Sequence, residues 1–515
     1  MTNERRALIS VFDKTGVIAL AEELILLGFE IISTGGTARS LREAGLAVTD
    51  VAEVTGFPEI LGGRVKTLHP LIHAAILACP DREEQRLELK KFNIYPIELV
   101  IVNLYPFEQT IAAKGSGHEE VIENIDIGGP TMLRAAAKNH AYTAVVANPA
   151  RYGEIIEELK RNGTVSSETR CRLAAEAFLH TAGYDTAIAG YFRALPQAGV
   201  ELYPDRLSLT FNKIQNLRYG ENPHQEAAFY ASAGLPEGLA AMRQLQGKEL
   251  SFNNINDLNA AWELSLEFNQ PVAVAVKHAN PCGVGSASTM LEAYRLAFEA
   301  DPVSIFGGVL VLNGTLEAET AAEMNKIFLE VIAAPQFTAE ALKILHDKKD
   351  VRLLQIDPAI CEKDRVDIKK ISGGMLIQTI DNEPVEVNKG KVVTARAPSA
   401  GEWEQLNFAQ KVVKHVRSNA IVIAGPGQTV GIGAGQMSRI GAARIALNQA
   451  GEKARGAVLG SDAFFPFPDT VEEAAKAGIT AIVQPGGSLK DQESIDLCDR
   501  YGLTMVFTGR RYFKH

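Results

Sequence analysis

The feature that most constrains this chain is a recurring unit: a short run of branched apolar residues, a Gly-containing turn, then an amphipathic stretch. It is clearest over residues 1 to 50, which read βαβα. Arg6 to Phe12 is a strand. Residues 15 to 27 carry Val17, Leu20, Ala21, Leu24 and Leu27 at the spacing of one helix face, and Gly28 is placed to end that helix. Phe29 to Ile32 is a second strand, followed by Ser33-Thr34-Gly35-Gly36-Thr37 and another helix. Ile97 to Leu104, apolar except for Glu98 and Asn103, reads as a strand covered on both faces, and Thr143 to Ala147 looks similar. Such strands separated by helices predict an α/β fold, a parallel sheet with helices on both sides.

The 515 residues allow about three folding units at roughly 150 residues each. The net charge of −10 argues against a nucleic-acid coat, which needs a basic surface to release counterions. A few local cations are still enough to hold a small phosphate substrate. No apolar run approaches the roughly 18 residues of a membrane helix, and the polar start leads straight into a strand, unlike a signal peptide. Cys79, Cys171, Cys282, Cys361 and Cys498 are widely spaced with no Cys-x-x-Cys pair, which fits reduced thiols in a cytoplasmic protein.

Residues 196 to 210, with Pro196, Gly199 and Pro204, carry little periodicity and place a domain boundary near 200. A second polar stretch, Asp381 to Gly401, divides residues 201–515 near 380–400. The two parts share an order: an apolar strand (Pro271 to Val276; Ala420 to Ala424), a turn, and a Gly-rich segment (Gly283 to Gly285; Gly431 to Gly435). An Ala-rich helix and a Phe-containing strand end follow (Ser304 to Gly308; Ser461 to Phe467). Internal duplication and two ordinary α/β units both fit that order.

Several groups carry possible chemistry. Ser33-Thr34-Gly35-Gly36-Thr37 lies between strand and helix, where glycines admit a phosphate, hydroxyls donate to it and the helix N-terminus adds positive charge. Thr37 as a simple N-cap is the plainer reading. Lys14 follows the first strand, and strand ends of a parallel sheet share an edge, so Lys14 and the Gly loop can serve one anion. In Gly62-Gly63-Arg64-Val65-Lys66-Thr67-Leu68-His69-Pro70 the alternating Arg64 and Lys66 suit a phosphate or an oxyanion. Asn103-Leu104-Tyr105 ends the long strand, and Asp126 and Lys138 bracket a helix. Tyr105, Asp126, Lys66 and Lys138 around one pocket can move protons without a metal.

The second half contains Arg218-Tyr219-Gly220-Glu221-Asn222-Pro223-His224-Gln225, and Lys277-His278-Ala279-Asn280-Pro281-Cys282-Gly283 after a buried strand. A Lys beside a His can keep the imidazole neutral, so it can act as a base. A zinc deaminase site needs His-x-Glu and Pro-Cys-x-x-Cys; Pro281-Cys282 lacks the second Cys, so no zinc is expected. Gly431 to Gln436 lacks the third Gly of a dinucleotide fingerprint, which disfavours an NAD oxidoreductase, and there is no P-loop.

Together, Gly-Gly-Arg-Val-Lys-Thr-Leu-His-Pro, Arg-Tyr-Gly-Glu-Asn-Pro-His-Gln, Val-Lys-His-Ala-Asn-Pro-Cys-Gly and Ser-Asp-Ala-Phe-Phe-Pro-Phe resemble, over nearly the whole chain, the purine-biosynthesis family that combines AICAR transformylase with IMP cyclohydrolase. The resemblance implies a methylglyoxal-synthase-like cyclohydrolase domain over 1–200. It implies a transformylase over 201–515 made of two cytidine-deaminase-like α/β subdomains without zinc. It also implies a homodimer that shares its transformylase sites, nucleotide and folate substrates with 10-formyltetrahydrofolate as cosubstrate, and neither nucleic-acid nor membrane partners. A structural monovalent cation stays open. By the same resemblance His278 is the base or proton relay of formyl transfer and Lys277 assists. Arg218 and Tyr219 contact the nucleotide, Arg511 holds its phosphate, and Phe306, Gly307, Phe464 and Pro466 line the pockets. Lys14, Ser33, Thr34, Gly35, Gly36, Thr37, Arg64, Lys66, Thr67 and Asn103 belong to the cyclohydrolase nucleotide site, and Tyr105, Asp126, Lys138 and Lys66 to its chemistry.

Three positions depart from the family pattern. Pro426 stands where many relatives have Asn or Asp, and it has no N–H to offer a carboxamide. Thr470 replaces an Asn, and Glu330 replaces an Asp while keeping two oxygens for a pterin. A monofunctional cyclohydrolase and a nucleotide-sensing module are the competing readings.

Overall fold

The computed structural model describes residues 5–113, 115–195, 199, 202–233, 238–357 and 366–515. Cys361 and Pro196 lie outside the described residues. The chain forms two compact units, one with the described residues up to Asn212 plus Ser232 and Ala233, the other with the rest.

The first unit is built on five parallel strands, β1 (Arg5–Val11), β2 (Phe29–Ser33), β3 (Thr49–Asp50), β4 (Leu99–Asn103) and β5 (Ala144–Val146), in the order β3-β2-β1-β4-β5. The apolar run before Asn103 is buried from Leu99 to Val102, as a strand between two helical layers requires. The helix Val17–Leu26 buries Val17, Leu20, Ala21 and Leu24. Gly28, at φ +82, follows it. The next helix, Gly35–Glu43, starts at Gly35 with Thr34 as N-cap, so Thr37 lies in its first turn rather than capping it. A 28-residue helix, Ser167–Ala194, closes this unit, and Thr210 packs on its Gly183.

Next come the paired strands β6 (Phe211–Leu217) and β7 (Ala227–Ser232). In the second unit the strands are β8 (Arg243–Gln246), β9 (Val272–Lys277), β10 (Asn280–Ser286), β11 (Val309–Leu312), β12 (Thr315–Leu316), β13 (Val331–Ala334), β14 (Gln336–Phe337) and β15 (Arg352–Gln355). They continue with β16 (Val366–Ile371), β17 (Gly374–Thr379), β18 (Lys391–Val392), β19 (Ile421–Gly425), β20 (Gln428–Gly433), β21 (Val458–Ser461), β22 (Ala481–Gln484) and β23 (Thr504–Phe507). Twelve of these form one mixed sheet, β18-β23-β22-β21-β19-β20-β10-β9-β11-β13-β15-β8.

That order is a palindrome. Read outward from the β10–β20 junction, each half has a hairpin (β9–β10; β19–β20), then strands β11, β13, β15 or β21, β22, β23, then an antiparallel edge strand, β8 or β18. β10 and β20 pair antiparallel, so a pseudo-twofold axis normal to the sheet relates the halves. Internal duplication describes this architecture; two unrelated units do not.

Each half lays one helix, Phe252–Ser265 or Ala400–Val413, on the same sheet face, where Leu258, Trp262, Leu406 and Val412 share a core with Val272, Val274 and Val276. On the other face Ala273 and Ala275 meet the helix Met290–Ala300. The alternation is the period of two of a pleated strand. The Gly-rich segments explain themselves here: a Cβ on Gly285 would lie 2.2 Å from the Ala293 carbonyl oxygen, and one on Gly433 1.9 Å from that of Ala442. Glycine lets each helix backbone sit directly on its strand.

Candidate active sites in the two units

In the first unit the carboxyl ends of β1, β2 and β4 define one sheet edge. The Lys66 ammonium lies 3.2 Å from where a Cβ on Gly35 would project, and the Lys14 ammonium 3.9 Å from that of Gly36. Gly35 holds φ +55, a conformation that favours glycine. Two cations therefore converge on the first turn of Gly35–Glu43, whose backbone N–H groups have no intrahelical partner. This is an anion cradle assembled from three segments distant in sequence.

Two of the hydroxyls assigned to that anion, those of Ser33 and Thr37, are otherwise committed. Ser33 is fully buried and its hydroxyl donates to the Ile9 carbonyl at 2.6 Å. The Thr37 hydroxyl accepts from the Val11 N–H and donates to the Val11 carbonyl, tying helix to strand. Asn103 ties down the Lys14 loop: its oxygen accepts from the Phe12 and Asp13 N–H groups at 2.6 and 2.9 Å.

Asp126 faces the same edge. Burial pushes its carboxyl above the ordinary range, against the opposing pull of the Gly129 N–H, the Lys66 charge and the Tyr105 and Gly128 N–H groups. Its own loop is clamped by Tyr184, whose hydroxyl accepts from the Asp126 N–H at 2.8 Å and donates to the Asn124 carbonyl at 3.0 Å. Burial takes the Tyr184 pKa up to about 12, so the phenol stays protonated. The Tyr105 ring stands edge-on to Phe12, 5.7 Å between centroids. Thr67 is buried against the start of the helix Gly128–Lys138, its hydroxyl 2.6 Å from a Cβ placed on Gly128.

Two expected members stand apart. The exposed Arg64 side chain is paired with Glu123. Lys138 ends the helix that begins beside Asp126, about 15 Å away at 1.5 Å per residue. The adjoining Asn139 and Thr143 bond to the Ile76 and Ile97 carbonyls, on the amino side of β4. One chain does not bring Lys138 to Tyr105, Asp126 and Lys66. The expectation erred because residues that bracket a helix sit at its two ends.

In the second unit Lys277 ends β9 and pairs with Asn280, leaving His278 and Ala279 as a two-residue hairpin turn. Both have φ +55, the pattern of a type I′ turn, which ordinarily takes Asn and Gly. The Lys277 ammonium donates to the Phe306 carbonyl at 2.9 Å. Phe306 stacks obliquely on Phe328, 5.8 Å between centroids, and Gly307 turns at φ +68. Sequence reasoning missed Asp257, from the helix Phe252–Ser265, which accepts the Ala279 N–H at 2.7 Å. An acid within an amphipathic helix reads as a solvated face.

The twofold relation corrects one expected correspondence. Ser304 to Gly308 precedes β11, whereas Ser461 to Phe467 follows β21, so the two are not repeat equivalents. Because matched strands run oppositely, both segments arrive at the edge that carries His278. Phe464 and Pro466 are exposed there. The C-terminal segment joins them: the Tyr512 N–H donates to the Asp462 carbonyl, and the neighbouring Arg511 covers the Phe513 ring at 4.4 Å. Glu330 immediately precedes β13 at this edge and is bound to Arg352 at 2.6 Å. Arg218 is occupied with Tyr219, donating to its hydroxyl at 2.9 Å.

Of the departures, Thr470 is fully buried with its hydroxyl unpartnered, away from any solvent-borne ligand. Pro426 and Gly427 form the β19–β20 turn, and the Gly427 carbonyl accepts from Ser286 at the far end of β10 from His278. That separation is about 20 Å at 3.3 Å per residue. Burial takes the Cys282 thiol up to about 12, leaving it neutral. Among the described residues no group of three or more His, Cys, Asp or Glu is placed to hold a metal ion. No described helix is long and apolar enough to cross a membrane.

The AICARFT/IMPCHase bienzyme family matches residues 136–449, and the MGS-like domain family residues 16–131. The bifunctional purine biosynthesis protein PurH of Acetivibrio thermocellus is 55% identical over 514 residues, covering 99% of this chain and 100% of its own. That of Anoxybacillus flavithermus is 55% identical over 513 residues, with 99% and 100% covered. That of Bacillus subtilis is 53% identical over 512 residues, with 99% of each covered. Full-length similarity at this level, on a chain with one edge site in each of two units, places it in the AICARFT/IMPCHase bienzyme family.

Proposed function

We propose that this chain is a bifunctional enzyme of purine biosynthesis that formylates AICAR from 10-formyltetrahydrofolate and then closes the product to IMP. The observation that carries the reading is the presence of two separate acid–base constellations, one in each compact unit. Domains 1–200 and 201–515 serve the second and first step respectively.

In formyl transfer the AICAR amine attacks the formyl carbon; its C–N bond forms, the formyl–folate C–N bond breaks, and the amine proton moves to the folate nitrogen. The amine is conjugated and weakly nucleophilic, so a base must accept that proton as the bond forms. His278 takes this role, and Lys277 leaves the Phe306 carbonyl to assist the departing nitrogen. Phe306, Gly307, Phe464 and Pro466 shape the pocket, and Arg218, Tyr219 and Arg511 turn from their ring partners to the nucleotide. Glu330, fixed through one oxygen by Arg352, keeps the other for the pterin.

In cyclisation the carboxamide nitrogen attacks the formyl carbon and water leaves. Lys14, Lys66 and the N–H groups at Gly35 and Gly36 hold the phosphate or the developing oxyanion, and Asp126 with Tyr105 handles protons. Arg64 joins once it releases Glu123. Ser33 and Thr37 act through their backbone.

The resemblance puts position 426 at the formyl-transfer site, and its distance from His278 within one chain fits a homodimer in which a second copy supplies it. Exposed Ile368, Ile371, Met375 and Leu376 on β16–β17 supply apolar surface for such a contact. Free Cys79, Cys171, Cys282 and Cys498 fit a cytoplasmic setting. The test is His278→Ala: formyl transfer is lost while cyclisation of the formylated intermediate persists. Loss of both, or of neither, contradicts the two-site assignment.

A further inference from the structure

We infer that Asp257 is the positioning residue of the formyl-transfer turn, its carboxylate holding the His278 and Ala279 backbone in the left-handed conformation that sets His278 beside Lys277 at the sheet edge. This rests on the reading of His278 as the proton acceptor.

The turn is unusual in composition. A hairpin whose central residues both have positive φ takes Asn-Gly or Gly-Gly at little cost, but here a β-carbon sits at both positions. Something outside the hairpin must over-determine the conformation. Asp257 is placed to do so. Its Oδ1 accepts the Ala279 N–H at 2.7 Å, and the neighbouring His278 N–H adds to the pull on the same carboxylate. With His278 and Ala279 both at φ +55, the turn aims the Ala279 N–H at the Asp257 carboxylate. The carboxylate is partly buried, and burial raises its pKa against the opposing pull of these two N–H groups. The helix that carries it is anchored at its own start by Ser251 and Asn254, which form a reciprocal cap.

The duplicated half supplies an internal control. Ser399 caps the matching helix as Ser251 does, and six residues past the caps Asp257 corresponds to Gln405. The matching turn is Pro426-Gly427, with Gly427 at φ +67, residues suited to their positions without outside help. The buried Gln405 Oε1 has no hydrogen-bond partner. The carboxylate is therefore present in the half whose turn residues resist their conformation and carry the Lys-His pair, and absent from the half whose turn needs nothing.

The test compares Asp257→Ala, Asp257→Asn, His278→Ala and Asp257→Ala/Ala279→Gly in the full-length protein, reading kcat and KM for formyl transfer, with thermal melting of each. Misplacing a reacting group by about an ångström costs on the order of 10²-fold in rate. Asp257→Ala is expected to lose that much kcat with KM for AICAR changed by no more than about twofold. Asp257→Asn, which keeps an acceptor oxygen, is expected to stay near the wild type. Gly at 279, at ease at positive φ, is expected to restore most of the loss. If Asp257→Ala does not fold, the double variant carries the test: folding with turnover supports the clamp, and folding without turnover overturns it. Wild-type kcat in Asp257→Ala alongside an inactive His278→Ala overturns the clamp alone. An active His278→Ala overturns the underlying reading and the clamp with it.

Discussion

Lys66→Ala removes one of two ammonium groups that meet over Gly35 and Gly36. A hydrogen bond to a charged partner contributes about 1.5–3 kcal/mol, and each 1.36 kcal/mol is tenfold, so kcat/KM for cyclisation should fall about 10- to 150-fold. Binding should survive in part, because Lys14 and the first-turn N–H groups remain. The substitution also acts on Asp126. Burial raises the Asp126 carboxyl, and the Lys66 charge is one of the influences that oppose it. Without that charge the carboxyl is harder to ionise, so the acid limb of the cyclisation pH profile moves to higher pH. The assay supplies the formylated intermediate and follows IMP by absorbance across pH, with formyl transfer as the control in the same preparation. A loss under about twofold, an unmoved acid limb, or a parallel loss of formyl transfer refutes the assignment of Lys66.

Tyr184→Phe removes the hydroxyl that clamps the Asp126 loop at two backbone positions; at about 0.5–1.5 kcal/mol for each of the two lost hydrogen bonds, steady-state kinetics should show cyclisation slowed by about 5- to 150-fold, with formyl transfer unaffected. Glu402 is buried, which disfavours its charge, but Arg396 and the Ser399 N–H take its pKa down to about 2. Its folded pKa is depressed, so its stabilisation is complete above pH about 4.5 and is lost as pH falls toward about 2. Glu402→Gln should therefore lower the stability of the second unit by about 1–2 kcal/mol at neutral pH, discounted for the water around Arg396, and the gap to the wild type in denaturant melts should close below pH about 4.

Much of this architecture is readable in the residues because backbone constraints are local. Gly28, the apolar run before Asn103 and the heptad-like spacing of Val17, Leu20, Ala21 and Leu24 each specify an element without reference to the rest. The two-strand correspondence around Gly283 to Gly285 and Gly431 to Gly433 also survives, since close helix–strand contact demands glycine wherever it occurs. What escaped the sequence depends on direction. Lys138 was grouped with Asp126 by proximity in the chain, yet a helix carries it to the opposite edge of the sheet. The Phe306 and Phe464 segments looked like repeats of each other, but antiparallel halves bring them to one edge from opposite ends of matched strands. Ser33 and Thr37 had the right chemistry for a phosphate, and strand–helix packing claimed their hydroxyls. Asp257 left no signal, because its role exists only against a turn twenty residues away.

The central claim is that one chain performs both steps. Purified protein supplied with AICAR and 10-formyltetrahydrofolate should consume the two in equal amounts and release one IMP and one tetrahydrofolate for each AICAR lost. Unconsumed formylfolate would contradict the transformylase assignment, and accumulation of the formylated intermediate without IMP would contradict the cyclohydrolase.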